Sequence, residues 1–542
     1  MISRRMSLSL LCASPLALQS GCSTLKAGRG DSPSATRSAQ GTQAQWKRGF
    51  DGQRIADQRD GTFLNPIFAG DHPDPSIIKD GENYYLTFSS FDAYPGLLIW
   101  QSTDLVNWSP LAPALRKPIG SVWAPDLAKH DGRYFMYIPA RTETYKSIYV
   151  IHADSIEGPW SDPIDLKLPN HIDPCHVVGE DGRRYLFLSN GDMIPLSDDG
   201  LATRGDIHHV YDPWRYPDEW DVECFCPEGP KITRRGEWFY MLTAVGGTAG
   251  PPTGHMVIAA RSKSVYGPWE DAPNNPQVRT QSRSERWWSR GHATLIEGAG
   301  EDEWWLVYHG YEKNFWTLGR QCLLDPVRWR DDGWFEAVGG DLSSALAKPA
   351  RGKSQPHGLR LSDDFASPVL GPQWAFYKPG SEEYARVVVG EGVLRLEAKG
   401  VSPADTSPLC FVCGDPGYEI QVEIERDQNA TAGLLLFYND RLYCGLGFDR
   451  SGAIMHRYGQ ERRIAGILAE QTSKLHIKLR NDRHIVTMHT SLDGIDWRKF
   501  DVQIETSGYH HNVAYDFLSL RPAIYASGKG EARFENLQYR GL

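Results

Sequence analysis

Residues 80–88 read Asp-Gly-Glu-Asn-Tyr-Tyr-Leu-Thr-Phe, a polar turn with a glycine followed by an aromatic-rich strand. The combination returns four times along the chain, at residues 131–137, 181–188, 235–242 and 301–308. In the first four copies the turn glycine recurs about every 50 residues, a period typical of β-propellers. These glycines are Gly81, Gly132, Gly182 and Gly236. Five copies therefore predict five blades.

A tryptophan phrase follows the strand in three of the copies. It appears as Val106-Asn107-Trp108, Gly158-Pro159-Trp160 and Gly267-Pro268-Trp269, and it indicates an outer-strand turn. Short alternating patterns such as residues 256–260 predict β-strands, and no stretch carries a long helical period. We therefore predict an all-β domain over residues 61–345, a five-bladed β-propeller whose inner strands end at one central channel.

The composition disfavours one class of partner and suits another. The 542 residues carry a formal net charge of −10 and a sequence pI of about 6.0, without a basic stripe, so no nucleic-acid partner is expected. Aromatic residues make up 11%, which suits packed sheets and also surfaces that stack on sugar rings. A neutral substrate fits this balance best.

The first 22 residues have the pattern of an export signal. Two arginines precede an apolar stretch from about residue 8 to residue 18, and small residues follow. Gly21-Cys22 resembles a bacterial lipoprotein cleavage site with a lipid anchor at Cys22, although Gln19 stands where that pattern has an apolar residue. We expect an exported protein that is periplasmic, extracellular or an outer-membrane lipoprotein.

A flexible tether is predicted over residues 23–60, because Ser, Gly, Ala, Gln and Thr dominate its first part and cannot support a core. Seven cysteines follow the signal, an odd number at irregular spacing that does not describe a disulfide framework. Cys224-x-Cys226 and Cys410-x-x-Cys413 resemble halves of a zinc site, but no second pair matches either of them. Packed thiols, or one or two disulfides, are the favoured interpretation.

Three acidic residues stand in rigid phrases flanked by proline or glycine near the start of a blade. They are Asp74 in the phrase 72–76, Asp173 in the phrase 171–174 and Glu228 in the phrase 226–230. Each alone would be interpreted as a turn or strand-end residue. Their recurrence in blades one, three and four favours a joint role at the channel. Glycoside hydrolysis needs such a set, a proton donor and a second carboxylate.

Five motifs in this order resemble glycoside hydrolase family 43. They are Asn65-Pro66 through Pro73-Asp74-Pro75-Ser76, Trp123-Ala124-Pro125-Asp126, Ile172-Asp173-Pro174, Glu228-Gly229-Pro230 and Gly291-His292-Ala293. The resemblance runs from about Asn65 to Trp334, and the chain is similar to the β-xylosidases and α-L-arabinofuranosidases of that family. It implies an exo-acting, inverting hydrolase that releases terminal pentose from plant hemicellulose oligosaccharides.

The resemblance also assigns roles to the three carboxylates. Asp74 resembles the general base, Glu228 the general acid, and Asp173 the third carboxylate that tunes the acid and orients the sugar. Inversion would place the carboxyl groups of Asp74 and Glu228 roughly 6.5–9.5 Å apart, with room for a water. Burial and a neighbouring carboxylate both raise the pKa of an acid, as a proton donor near neutral pH requires.

Four further residues acquire a substrate-binding role by the same resemblance. Arg320 would contact sugar hydroxyls, Phe91 and Trp123 would be aromatic walls, and His292 would hold a water network or, through water, a calcium ion. No cofactor is required, and no metal ligand is assigned directly. The structural alternatives are an inter-blade salt bridge for Arg320 and packing for the other three. We interpret Asp126 as structural.

A second domain follows a predicted linker at residues 346–361. Short alternating strands, such as residues 392–396, predict a β-sandwich over residues 362–542. The phrase Ser491–Trp497 resembles the concanavalin-like sandwich that follows the propeller in many family-43 xylosidases. In those relatives a sandwich loop helps to close the active site, but no residue of this sequence identifies the loop.

Other functions stay open at this point. An arabinan- or galactan-directed glycosidase would use the same machinery, since specificity depends on loops. A non-catalytic glycan-binding surface protein would keep the fold, although all three carboxylates are present here. A zinc protein built on the cysteine pairs would contain stoichiometric zinc. The sequence does not indicate an oligomeric state.

Overall fold

The structure is a computed structural model that describes residues 45–350, 355–464 and 472–542. The predicted export signal, with its anchor residue Cys22, and the tether up to residue 44 lie outside these ranges. The described residues are nearly all β, with one α-helix, His511–Ala514. None of their helices has the length and apolar character needed to cross a membrane. Short 3-10 turns occur at Phe50–Gly52, Ser189–Gly191, Trp316–Leu318, Glu383–Arg386 and Pro403–Asp405.

Five antiparallel sheets confirm the predicted propeller, one for each copy of the repeat. Blade 1 contains Ser76–Asp80, Asn83–Thr87, Gly96–Ser102 and Ser109–Leu115. Blade 2 contains Ser121–Val122, Asp126–His130, Arg133–Arg141, Lys146–Ala153 and Ile164–Asp165. Blade 3 contains Cys175–Val178, Arg184–Leu188, Asp192–Pro195 and His208–His209. Blade 4 contains Glu228–Arg235, Trp238–Val245, Met256–Ser262, Glu270–Asp271 and Val278–Arg279. Blade 5 contains Trp287–Glu297, Trp304–Glu312, Arg320–Trp329 and Phe335–Ala337.

The aromatic strands of the repeat hold neighbouring blades together. Successive side chains of a strand point to opposite faces of its sheet. Tyr84 therefore packs in the core that blade 1 shares with blade 5, and Tyr85 packs in the core shared with blade 2. The inner strands of adjacent blades contact one another around the ring, from Ser76–Asp80 round to Trp287–Glu297 and back. These strands surround the channel.

The ring closes where the start of the domain meets its end. Thr62–Phe63 pairs antiparallel with Leu346–Ala347. The backbone N–H of Ile67 donates to the carbonyl oxygen of Cys322 in blade 5, with a nitrogen–oxygen distance of 2.9 Å. Both contacts join segments more than 250 residues apart, so closure requires the whole propeller to be present.

The predicted tether is wrong for residues 45–60, which belong to the fold. Lys47–Arg48 pairs with Arg54–Ile55. Arg54 is 4% exposed, its Nη1 lies 2.7 Å from Oε2 of Glu312 in blade 5, and its guanidinium lies 4.5 Å from the ring centre of Trp46. One tryptophan and one arginine with distant partners leave no periodic pattern, so the sequence did not show this segment.

Part of the predicted linker is also structured. Leu346–Ala347 takes part in ring closure, and Gln355 donates to the carbonyl oxygens of Gln101 and Asn107 on blade 1. Residues 351–354 lie outside the described ranges. The chain between the two domains therefore runs along the propeller for part of its length.

The second domain is a sandwich of two antiparallel sheets. Its strands show the expected alternation, since every other residue of the strand Gly417–Arg426 is buried. In spatial order the first sheet contains Gln460–Ile464, Gly452–Arg457, Tyr443–Asp449, Ala430–Phe437, Arg521–Gly528, Leu409–Cys410, Ala375–Tyr377 and Ala93–Tyr94. The second sheet contains Val387–Gly390, Val393–Glu397, Glu531–Gly541, Gly417–Arg426, Lys474–Asp482, Ile485–Ser491 and Arg498–Glu505.

The last strand of the first sheet belongs to the propeller. Ala93–Tyr94 leaves blade 1 and pairs with Ala375–Tyr377 of the sandwich. A buried ion pair adds to this junction, because Nη2 of Arg521 lies 2.8 Å from Oδ2 of Asp71. The two domains are thus joined by backbone hydrogen bonds and by a paired charge.

Replacing Arg54 by alanine should destabilise the protein by about 3 kcal/mol or more, because it leaves Glu312 buried without its closest cation. Denaturant unfolding measures the free energy of unfolding. Lys47→Ala is the matched control: Lys47 is exposed in the adjoining strand, and its loss should change stability by less than about 0.5 kcal/mol. Equal stability of the two variants would contradict a structural role for Arg54.

Candidate active site

The three predicted carboxylates meet in one pocket at the channel. Asp74 and Asp173 each lie two residues before the inner strand of their blade, and Glu228 is the first residue of the inner strand of blade 4. Equivalent positions in different blades face the same channel, which explains why residues so distant in sequence converge. The pocket is lined by Asp74, Phe91, Trp123, Ala124, Ile172, Asp173, Glu228, Thr248, His292, Arg320 and Phe517. All seven predicted site residues are among them.

The backbone at the pocket is held in an uncommon conformation. Asp74 and Asp173 both have a φ of 55°, and His292 has a φ of 59°. Non-glycine residues in this left-handed region cost roughly 1–3 kcal/mol each and cluster at functional sites. The proline that follows Asp74 and Asp173 disfavours the right-handed helical alternative. The left-handed backbone, rather than the following proline, therefore sets the direction of both carboxylates.

Gly229 is required by its position behind Glu228. Its φ is 61°, and a Cβ placed there would lie 2.8 Å from Cε1 of His292. The N–H of Gly229 donates to Oδ2 of Asp173 at 2.9 Å. The Glu-Gly pair thus allows the acid, the third carboxylate and the histidine to come together.

Asp74 is buried but surrounded by groups that favour its ionised form. Nη1 of Arg320 donates to Oδ1 at 2.8 Å, and Oγ of Ser89 donates to Oδ2 at 2.5 Å. Burial by itself would raise the pKa of Asp74, but the guanidinium of Arg320 holds it well below its usual value. Asp74 is therefore a carboxylate able to accept a proton.

Glu228 has the opposite environment. Burial, and then the negative charge of Asp173, raise the pKa of Glu228 well above its usual value. Burial and the charge of Asp74 raise the pKa of Asp173 to about 7. Two titratable groups whose environments push their pKa values apart are characteristic of an acid and base pair. Glu228 is suited to donate a proton, and Asp74 to receive one.

Arg320 lies against the base rather than alone in the pocket. It bridges blade 5 to Asp74 at the start of blade 1, which is the inter-blade salt bridge considered above. Its guanidinium also lies 5.6 Å from the ring centre of Phe91 and 5.1 Å from that of Phe517. A contact between Arg320 and sugar hydroxyls remains a prediction.

Phe517 is a pocket residue that the sequence did not reveal. It belongs to the sandwich, stacks on Phe91 with ring centres 6.0 Å apart, and is held from behind by His511, whose ring centre lies 3.9 Å away. Phe517 stands in an irregular segment without a repeat or a motif. Only the domain resemblance suggested that a sandwich loop would reach the site, and the structure places Phe517 there.

Asp126 and Lys231 form a buried ion pair beside the site. Nζ of Lys231 lies 2.7 Å from Oδ1 of Asp126 and 3.0 Å from the carbonyl oxygen of Pro125, and both charged residues are nearly inaccessible. The pair joins blade 4 to blade 2. This geometry agrees with a structural role for Asp126.

The surroundings of His292 do not fit a directly bound calcium ion. Calcium takes six to eight oxygen ligands. His292 instead faces the imidazole of His309, with ring centres 5.9 Å apart, and the nearest carboxylate oxygen, Oδ1 of Asp74, already accepts Arg320. Within the described ranges, no three His, Cys, Asp or Glu residues are grouped to hold a metal. A calcium ion held only through water remains a prediction.

The cysteines do not form the zinc halves considered above. Cys224 and Cys226 form a disulfide, two residues before Glu228. Cys410 and Cys413 are free, buried thiols. The other described cysteines, Cys175, Cys322 and Cys444, are also buried and free. One disulfide and packed thiols are the pattern that the sequence favoured.

A larger cavity, of about 170 Å³, lies between the propeller and the sandwich. Its wall includes Asp71, His72 and Arg521 but none of the three carboxylates. The smaller pocket, of about 60 Å³, holds the acid and base pair and is the candidate site on chemical grounds.

Both domains match the sequence profiles of known protein families. The sequence profile of glycosyl hydrolases family 43 matches residues 63–335, which is half of the chain, and that of the β-xylosidase C-terminal concanavalin A-like domain matches residues 362–540. The chain belongs to glycoside hydrolase family 43. It is therefore a glycosidase of an inverting, exo-acting family whose enzymes generally need no cofactor.

Individual relatives are similar along most of their length. A xylan 1,3-β-xylosidase from a Vibrio species is 28% identical over 545 residues, covering 88% of this chain and 99% of the relative. A non-reducing end α-L-arabinofuranosidase of Bacteroides ovatus is 29% identical over 408 residues, covering 70% and 74%. The crystal structure of a xylan β-1,4-xylosidase from Bacillus halodurans superposes with a TM-score of 0.77 at 25% identity, covering 88% and 99%.

Replacing Asp173 by asparagine should move the alkaline limb of the kcat/KM profile to lower pH. The change removes a negative charge that raises the pKa of Glu228, so the acid loses its proton at lower pH. Substrates with poor leaving groups, which need full protonation, should suffer more than activated aryl glycosides. An unmoved alkaline limb with equal losses on both substrates would limit Asp173 to holding the sugar.

Replacing Phe517 by alanine should remove one wall of the pocket and lower kcat/KM by about tenfold or more, the usual effect of a lost apolar contact. The matched control is Tyr515→Ala, because Tyr515 is 79% exposed in the same segment and should contribute little. Steady-state kinetics with an aryl glycoside measures both. Similar activity of the two variants would show that Phe517 does not contact the substrate.

Proposed function

We propose that this glycosidase releases terminal pentose, β-D-xylose or α-L-arabinofuranose, from hemicellulose oligosaccharides. The observation that carries the proposal is the meeting of three carboxylates in one pocket, where Arg320 lowers the pKa of Asp74 and burial with the charge of Asp173 raises that of Glu228. The names of the relatives, xylosidases and an arabinofuranosidase, support the choice of a pentose. The exo-acting mode of the family supports release from a chain end.

The mechanism is a single displacement. Glu228 gives its proton to the oxygen of the leaving group as the bond from that oxygen to the anomeric carbon breaks. Asp74 takes a proton from a water whose oxygen forms the new bond to the same carbon, from the opposite face. Asp173 keeps the pKa of Glu228 raised before the reaction. Arg320 and Ser89 hold the carboxylate of Asp74 in place.

Two other functions receive less support. An arabinan- or galactan-directed glycosidase would need the same three carboxylates, and it differs from the proposal only in the sugar that the pocket accepts. A glycan-binding protein without activity has no need for two carboxyl groups whose pKa values are shifted in opposite directions, as those of Asp74 and Glu228 are.

We propose that hydrolysis takes place after export. The support is the arginine-led apolar stretch over about residues 8–18 with Gly21-Cys22 after it, which has the pattern of a signal with a lipid anchor site. An oligosaccharide substrate derived from plant polysaccharide would be met outside the cytoplasm.

The assay that tests the proposal compares p-nitrophenyl β-D-xylopyranoside with p-nitrophenyl α-L-arabinofuranoside. We expect turnover of at least one of them, and the ratio of the two kcat/KM values identifies the preferred pentose. Asp74→Ala and Glu228→Ala should each lower turnover by about 10²–10⁴-fold or more, because each removes a proton-transfer group. Proton NMR of the first product should show the inverted anomer.

A surface carboxylate provides the control for these variants. Asp162→Ala should keep full activity, because the side chain of Asp162 is 86% exposed on blade 2. Glu228→Ala and Asp162→Ala should melt close to the wild type, whereas Asp74→Ala should melt at a lower temperature because it leaves the guanidinium of Arg320 buried without its partner. More than about a tenth of wild-type activity in Asp74→Ala or Glu228→Ala would remove that residue from the mechanism, and no turnover of either pentoside would refute the choice of sugar.

A further inference from the structure

His309 lies directly behind the catalytic base. It is fully buried in the strand Trp304–Glu312 of blade 5, and its Nδ1 lies 3.0 Å from the backbone nitrogen of Asp74. We propose that His309 is a positioning residue that accepts the backbone N–H of Asp74 and thereby holds the left-handed backbone that directs its carboxylate. The proposal rests on the role of Asp74 as general base.

Hydrogen-bond accounting fixes the protonation of the ring. Nδ1 lies near two atoms of Asp74, the backbone nitrogen at 3.0 Å and Oδ1 at 3.2 Å, and it can serve only one of them. A proton on Nδ1 would leave the backbone N–H of Asp74 buried and facing another donor, which is costly. Oδ1 already accepts a hydrogen bond from Arg320. Nδ1 is therefore the acceptor, and the imidazole is neutral.

The second ring nitrogen then has a defined partner. With Nδ1 unprotonated, the proton of the neutral ring is on Nε2, which lies 3.3 Å from Oγ1 of Thr248. Oγ1 of Thr248 accepts the hydrogen bond from Nε2, so its own hydroxyl hydrogen is free to bond another acceptor. Thr248 also lines the pocket. A directed chain runs from the backbone of Asp74 through His309 to the wall of the pocket.

Packing prevents the ring from turning away. His255 stacks on His309 with ring centres 5.4 Å apart and planes 3° from parallel. This stack needs the glycine of the Gly291-His292 motif, because a Cβ on Gly291 would lie 1.8 Å from Cδ2 of His255. The motif that the sequence analysis linked to His292 thus also makes room for the support of His309.

The backbone of Asp74 needs this support. Its φ of 55° is unfavourable for a residue with a side chain, and such a conformation persists only where its surroundings hold it. Without the acceptor, the peptide would relax and carry the carboxylate away from Arg320 and Ser89. A displacement of about 1 Å in a catalytic group can lower the rate by about 100-fold.

Two substitutions of similar size separate this role from packing. The side-chain oxygen of asparagine in His309→Asn occupies the place of Nδ1 and can still accept the N–H of Asp74. The longer amide in His309→Gln reaches the place of Nε2 and contacts Thr248 instead. We expect kcat to fall by less than about tenfold in His309→Asn and by about 100-fold in His309→Gln, with KM changed by less than about twofold in both.

The pH profile gives an independent readout. In His309→Gln the carboxylate of Asp74 moves away from the cation that lowers its pKa, so the acid limb of the kcat profile should move to higher pH. In His309→Asn it should stay in place. Equal losses in the two variants, or a loss confined to KM, would overturn the proposal and leave His309 a packing residue.

A second pair of variants decides the question if His309→Gln does not fold. Thr248→Ser keeps the acceptor for Nε2, whereas Thr248→Val removes it and allows the proton to move to Nδ1. Thr248→Val should show the lower kcat and the shifted acid limb, and identical profiles of the two variants would overturn the proposal. Asp74→Ala distinguishes a wrong assignment of the general base from a wrong role for His309. If it stays active, the assignment of the base fails, and if it is inactive while both pairs behave alike, only the role of His309 fails.

Discussion

The buried charge of Asp74 is the constraint on which the rest of the site depends. A carboxylate out of water is stable only beside a cation and hydrogen-bond donors, and Arg320 supplies the cation from the opposite end of the propeller sequence. The backbone of Arg320 reaches Asp71, and Asp71 in turn pairs with Arg521 of the sandwich. A segment of four residues, 71–74, therefore joins blade 1, blade 5 and the second domain. The contacts that join these parts of the fold therefore also stabilise the charge of the base.

The carboxylates have different roles because the charged groups next to them differ. Burial raises the pKa of every one of them, but only Asp74 has a guanidinium within hydrogen-bond distance. Glu228 has Asp173 as its strongest electrostatic neighbour, and this charge adds to the effect of burial. The pKa values of two acids in one pocket are thus shifted in opposite directions. The difference follows from the direct hydrogen bond of Arg320 to Asp74, since Arg320 offsets the effects of burial and Asp173 on Glu228 only in part.

Features with a local pattern could be predicted from the sequence, and features made by single distant contacts could not. The turn-and-strand repeat predicts five blades, and the Asp-Pro and Glu-Gly phrases predict the three carboxylates that line the pocket. Phe517 stands in an irregular segment of the other domain. His309 lies in a fully buried strand, where a histidine would ordinarily be interpreted as a packing residue. Arg54 was hidden for the same reason, since its partner Glu312 lies more than 250 residues away. Such contacts have no periodicity, and only the folded chain reveals them.

The strand Ala93–Tyr94 changes what counts as a unit in this protein. It starts two residues after Phe91, yet it completes a sheet of the sandwich, whose own segment returns Phe517 to the pocket. A sandwich exchanged between relatives would lose its last strand and expose an unpaired backbone edge, which favours aggregation. A propeller that received a foreign sandwich would carry a gap in its aromatic wall. Recombination in evolution or in the laboratory can therefore preserve activity only when the strand Ala93–Tyr94 and the segment that carries Phe517 are inherited together. These two segments lie more than 400 residues apart in the sequence.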